Sequence, residues 1–123
     1  HVEMLMWGDR LLHAEETGYG KWEAAENGTD PAIDMIPTDI IICDWHYTTR
    51  ESYPSIPIFL DKGFRVWPAG WKEVEATEAL LEDALKNDEP NMLGYLCTTW
   101  GQVKPGKLAT WPPITKAMAM THT

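Results

Sequence analysis

The sequence is short of positive charge. Lys and Arg number 10 against 19 Asp and Glu, a formal net charge of -9. A surface that tracks phosphates needs clustered cations, and none occurs, so nucleic acid is not an expected partner. Long apolar runs are missing too. No stretch approaches the ~18 residues of a membrane-spanning helix, which argues against a membrane partner. No signal peptide is visible. The chain begins at His1 rather than Met, so it reads as a processed product or a piece of a longer protein. Cysteine is scarce, with Cys43 and Cys97 the only two. Each lies in an apolar run and reads as a buried free thiol. A disulfide would need the two runs side by side with close Cα atoms. Asn27-Gly28-Thr29 matches a glycosylation sequon, but Asn-Gly is first of all a turn signal.

Tryptophan, by contrast, is abundant. Four apolar, strand-like runs each end in one with polar residues beside it: Met4-Leu5-Met6-Trp7-Gly8-Asp9, Ile40-Ile41-Ile42-Cys43-Asp44-Trp45-His46-Tyr47, Phe64-Arg65-Val66-Trp67-Pro68 and Leu93-Gly94-Tyr95-Leu96-Cys97-Thr98-Thr99-Trp100. Folding alone gives a buried strand no reason to carry its largest aromatic at the same end each time. A sugar-binding face does. A pyranose presents flat C–H faces to indole, while its hydroxyls need polar neighbours.

Between these runs lie helical patterns. Strands are predicted near residues 2–7, 39–45, 64–67 and 92–98, and helices near 19–26, 55–62, 72–86 and 112–120. The β-branched run Ile40-Ile41-Ile42 reads as a strand covered on both faces, the habit of parallel sheets. Ser55 suits a cap, Pro57 a first turn and Gly63 a C-terminal stop. In the helix at 72–86, Val74, Thr77, Leu81, Ala84 and Leu85 share one face, with Glu73, Glu75, Glu78, Glu82 and Asp83 mostly outside it. The last helix starts at Trp111-Pro112-Pro113 and stops at Thr121-His122-Thr123. Trp22 and Trp111 are assigned to packing, and Met4, Met6, Met92, Met118 and Met120 to core filling. The fold class is α/β. One domain, residues 1–123, forms four consecutive β/α units with right-handed crossovers, parallel strands and helices outside. Such architectures carry ligands at the C-terminal strand ends.

The runs Met6-Trp7-Gly8-Asp9-Arg10, Asp44-Trp45-His46-Tyr47, Trp67-Pro68-Ala69-Gly70-Trp71 and Thr99-Trp100-Gly101 resemble the second half of the catalytic barrel of glycoside hydrolase family 20, the β-N-acetylhexosaminidases and their relatives. The resemblance covers nearly the whole chain. It implies half of a TIM-type (β/α)8 barrel, strand five through helix eight, and an N-acetylhexosaminide-type glycan as ligand. It places Trp7, Tyr47 and Trp100 as pocket aromatics and Asp9 as a carboxylate for sugar hydroxyls. Trp45, Trp67 and Trp71 are further walls. The family's general acid is the Glu of an Asp-Glu pair at the end of strand four, and the substrate's acetamido group serves as nucleophile, an exception to the two-carboxylate scheme. Strand four has no counterpart here. The one Asp-Glu, Asp88-Glu89, precedes Pro90 in a loop. A tyrosine-containing signature on strand seven is replaced by Trp67-Pro68-Ala69-Gly70-Trp71.

No cofactor is expected. Asp44 and His46, two apart on a strand, point the same way, but the run offers no third metal ligand, so no metal is expected either. Asp44 is instead expected to contact the ligand, and His46 either to contact it or to pack near Tyr47. Asp9 and Asp44, at the ends of consecutive strands, are the candidate acid/base pair. The competing reading has Asp9 paired with Arg10 or with a loop, and Asp44 capping a turn. Three functions follow: a carbohydrate-facing half of a glycosidase without its acid, a non-catalytic self-associating module that keeps only the fold, or a small hydrolase using Asp9 and Asp44. An open half-barrel leaves two strand edges and an apolar face unpaired. Its expected partners are therefore a carbohydrate and either a second copy of the chain or the missing N-terminal half-barrel.

Overall fold

The computed structural model describes residues 1–122; Thr123, part of the predicted last stop, lies outside the described residues. Four strands form one sheet: β1 (Leu5–Trp7), β2 (Ile41–Trp45), β3 (Val66–Gly70) and β4 (Leu96–Cys97). They lie in the order β1-β2-β3-β4, and each neighbouring pair is parallel. The helices are α1 (Ala14–Thr17), α2 (Gly20–Glu23), α3 (Ser55–Asp61), α4 (Val74–Ala84) and α5 (Pro112–Thr121). Short 3-10 turns cover Asp9–Leu11, Asp30–Asp34 and Pro105–Thr110. Among the described residues no helix is long and apolar enough to cross a membrane.

Register decides which side chains share a face. Met6, Ile42 and Val66 are paired across the first three strands. They turn toward the helices and into the core with Ile56, Phe59, Phe64 and Leu80, all fully buried except the half-buried Met6. Gly8 continues this face where β1 meets α3. A Cβ there would lie 2.7 Å from both Ile42 Cγ2 and Phe59 Cζ. The opposite face carries Leu5 and Ile41, then Trp7, Cys43 and Trp67, then Trp45, Ala69 and Leu96. It is not covered along its β1 side, where Leu5 is 47% and Trp7 40% exposed. A hollow of about 270 Å³ there is lined by Leu5, Met6, Trp7, Cys43 and Leu96.

Several boundaries differ from the sequence reading. β3 runs on through Pro68, where the prediction stops. The ladder beyond it uses the carbonyls of Ala69 and Gly70, which accept from His46 N and Thr98 N, so the missing prolyl N–H costs it nothing there. Met92 makes only an isolated bridge to Val66 before Gly94 breaks the strand at φ 123°. Ser55 does not cap α3. It is the first residue of the helix and buries its hydroxyl. Trp22, assigned to packing, is 73% exposed, and Met4 and Met118 are exposed as well. Cys43 is buried and Cys97 half-buried, both as free thiols.

Candidate functional site

A cleft of about 250 Å³ opens at the C-terminal strand ends, lined by Trp7, Asp9, Trp45, Tyr47 and Trp100. Asp9 follows β1 and anchors the wall. Its Oδ1 accepts from Trp45 Nε1 at 3.0 Å, and its Oδ2 accepts from Arg10 Nε at 2.6 Å. Arg10 is itself braced. Its Nη2 donates to the carbonyls of Lys21, Trp22 and Ala24 at 2.8–3.0 Å. The ring of Tyr47 lies 5.0 Å from that of Trp45 and 5.5 Å from that of Trp71. Trp71 thus backs Tyr47 from outside the cleft, with Lys72 Nζ 4.4 Å over its ring.

Trp100 closes the far side. It sits three residues beyond β4, at the opposite end of the strand order from Trp7, yet the two indoles stack with centroids 5.9 Å apart at 28°. Trp100 Nε1 donates to the Tyr47 hydroxyl at 3.0 Å, and Thr98 Oγ1 lies 3.3 Å from the same oxygen. Such a cleft offers flat π faces and a fixed carboxylate acceptor, the ingredients of a site for a ring with C–H faces and hydroxyls.

On the helix side of β2 lies a second, closed cluster. Strand alternation sends Asp44 and His46 there while Trp45 and Tyr47 face the cleft. His46, fully buried, has Glu23 Oε1 2.7 Å from Nδ1 and Asp44 Oδ1 2.9 Å from Nε2. Burial opposes charge on the ring. The charge of Asp44 and its hydrogen bond, reinforced by Glu23, outweigh burial and raise the pKa of His46 to about 9. The ring is therefore an imidazolium at neutral pH, donating from both nitrogens. Burial pushes the Glu23 carboxyl up, but hydrogen bonds from His46 and Arg50 outweigh it and hold the pKa below the usual value. Ser55 Oγ donates to Asp44 Oδ2 at 2.5 Å and accepts from the Tyr19 hydroxyl at 2.8 Å. Burial, with the charge of Asp44, raises the Tyr19 phenol well above its ordinary range.

Ser55 Oγ is also 2.8 Å from His46 Nε2. The order Ser55–His46–Glu23 therefore has the connectivity of a nucleophile, base and orienter. It cannot act as one. Ser55 is fully buried, its proton is directed to Asp44, and a protonated imidazole has no lone pair to accept a proton. The cluster ties α2, β2 and α3 together.

No model of a known protein family matches the chain, and no curated protein sequence matches it.

The predicted residues thus divide. Trp7, Asp9, Trp45, Tyr47 and Trp100 meet in one cleft. Asp44 and His46 do not line it. The expected approach of Asp9 and Asp44 as an acid/base pair is corrected by alternation, which buries Asp44 beneath the sheet. Asp44 caps no turn either, whereas Asp9 does pair with Arg10. His46 packs on Tyr19 and Tyr53 rather than on Tyr47. Trp67, paired with Cys43 one level below Trp45, lies deeper in the sheet face and does not reach the cleft. Among the described residues no three His, Cys, Asp or Glu side chains are placed to hold a metal ion. Sequence reasoning missed Glu23, Ser55, Tyr19 and Arg50, whose partners are 9 to 36 residues away along the chain. The one available signal was Asp44-x-His46, a charged pair on one face of an otherwise apolar strand.

Proposed function

We propose that this chain supplies the aromatic sugar-binding face of a glycoside-hydrolase-like half-barrel, taking an N-acetylhexosaminide-type glycan, without a complete catalytic apparatus. The observation that carries this reading is the convergence of Trp7, Trp45, Tyr47 and Trp100 on Asp9 at the strand ends. Parallel β/α folds bind their ligands at that end, and the strand-end signatures resemble glycoside hydrolase family 20. The same lining supports a catalyst left incomplete in this chain. Most glycoside hydrolases pair a general acid with a second carboxylate, and the substrate-assisted ones pair it with a substrate acetamide. Among the described residues Asp9 is the one carboxylate lining the cleft, and it is held in place by one hydrogen bond to each oxygen, from Trp45 and from Arg10.

Tryptophan fluorescence tests the binding half of this reading. Titration with chitooligosaccharides should quench or shift the emission, and no response to any amino sugar would remove the reading. Turnover of a chromogenic N-acetylhexosaminide by the pure chain would overturn the claim that the catalyst is incomplete.

A second reading is favoured by the uncovered sheet face. Parallel sheets are normally covered on both sides, yet Leu5 and Trp7 are open to solvent and the edge strands β1 and β4 lack outer partners among the described residues. A module that keeps the fold and self-associates would bury this surface against a second copy. Two-fold pairing sets β4 of one copy beside β1 of the other, in parallel. This reading predicts a dimer in light scattering at micromolar concentration and monomers for Leu5→Lys; a wild-type monomer contradicts it.

A further inference from the structure

Trp100 is the one non-glycine residue with positive φ (50°) among the described residues. Gln102 N donates to Thr99 O at 3.0 Å, which closes a turn around Trp100 and Gly101, the latter at φ 73°. Positive φ at both central positions is the requirement of a type I′ turn, whose usual occupants are Asn and Gly. A bulky aromatic in that position is held against its backbone preference. Such outliers persist where something specific holds them. Here two contacts do: the stack on Trp7 and the hydrogen bond to Tyr47. Trp100 is nevertheless 58% exposed, so no surrounding core pins it.

We propose that Trp7 and Trp100 are the two jaws of a clamp that parts to take one pyranose ring between them, and that the clamp selects a ring with two flat C–H faces, all substituents equatorial. This inference rests on the sugar-binding reading of the cleft. As they stand the jaws are shut. Each aromatic-to-carbon contact occupies about 3.5–4 Å, so a sandwiched ring needs about 7–8 Å between the indoles, against the 5.9 Å found. Opening breaks the Trp7 stack and frees Trp100 Nε1 and the Tyr47 hydroxyl for sugar oxygens. It also lets the Thr99–Gln102 turn relax, so the wall that must move is the one whose backbone is least content where it is. Selectivity follows from having two jaws. A single aromatic wall needs one C–H face. Two walls need both, and an axial hydroxyl obstructs one of them.

The stacked indoles provide the assay, because two coupled rings at this distance produce an exciton couplet in far-ultraviolet circular dichroism. The methyl β-glycoside of N-acetylglucosamine, all of whose substituents are equatorial, should quench tryptophan fluorescence and abolish the couplet in the same concentration range. The methyl β-glycoside of N-acetylgalactosamine, which differs only in its axial 4-hydroxyl, should bind roughly tenfold more weakly, the equivalent of ~1.4 kcal/mol. Trp100→Asn, which keeps a residue suited to positive φ, should remove the couplet without ligand and make the two sugars nearly equal. Binding that leaves the couplet intact, or equal affinity of the wild type for the two sugars, overturns the clamp alone. No response in either channel overturns the sugar reading and the clamp with it.

Discussion

Trp45 Nε1 donates a 3.0 Å hydrogen bond to Asp9 Oδ1, which joins the end of the second strand to the loop after the first. On either side of Trp45, Asp44 and His46 point the other way, into the buried ionic cluster. Along Asp44-Trp45-His46-Tyr47 the even positions thus fasten the strand to the helices, and the odd positions build the cleft. The backbone that presents the aromatic walls is held from behind by ionic hydrogen bonds.

The first consequence is a stability that depends on pH. The pKa of His46 rises from 6.5 to about 9 on folding. A raised value means that the stabilisation is complete below the unfolded value and is lost as pH climbs from 6.5 through about 9. At ~1.4 kcal/mol per pKa unit the loss is about 3 kcal/mol at most. The lowered pKa of Glu23 acts in the opposite sense, its contribution disappearing as pH falls below the ordinary 4.5. Urea denaturation across pH should therefore give a stability maximum near pH 5–6.5 that declines on both sides. His46→Gln should flatten the alkaline decline, and a variant with an unchanged alkaline limb would show that His46 is not its source.

Asp9→Ala removes the acceptor of the Trp45 indole and the partner of Arg10. The ion pair is partly exposed, so the global cost should stay near ~1 kcal/mol. The effect on the cleft should be larger, because Trp45 is then free to turn. We expect about a tenfold loss of affinity for chitobiose, corresponding to ~1.4 kcal/mol, with the far-ultraviolet spectrum retained. Titration calorimetry on the folded variant checks it, and unchanged affinity would mean that Trp45 needs no anchor.

Gly8 marks where β1 rests on α3. An added methyl would lie 2.7 Å from Ile42 Cγ2 and Phe59 Cζ, both in the core. Overpacking of this kind costs roughly 1–3 kcal/mol. Gly8→Ala should lower the thermal midpoint by several degrees, whereas Gly106→Ala, with open space around it, should not.

The parallel strand order was legible because apolar β-branched runs alternate with helical patterns, and that order survives in the sheet. The aromatic half of the cleft was legible for the same reason: once strand ends are known, Trp7, Trp45 and Trp100 fall at one rim. Parity was not carried through. Asp44 and Trp45 both stand at a strand end, but neighbouring residues face opposite sides, so only Trp45 reaches the cleft. Trp67 misled because Pro68 looks like a stop and is not one. The Glu23–His46–Asp44–Ser55 cluster lay beyond sequence reasoning, since it is assembled from three segments that meet only in the folded chain.

The most direct test follows the indole N–H resonances in a two-dimensional ¹⁵N spectrum during titration with chitobiose. Sugar binding in this cleft requires that Trp7, Trp45 and Trp100 shift together along one saturable curve while the exposed Trp22 stays still. Shifts confined to Trp22 or Trp111, or none at saturating sugar, would contradict it.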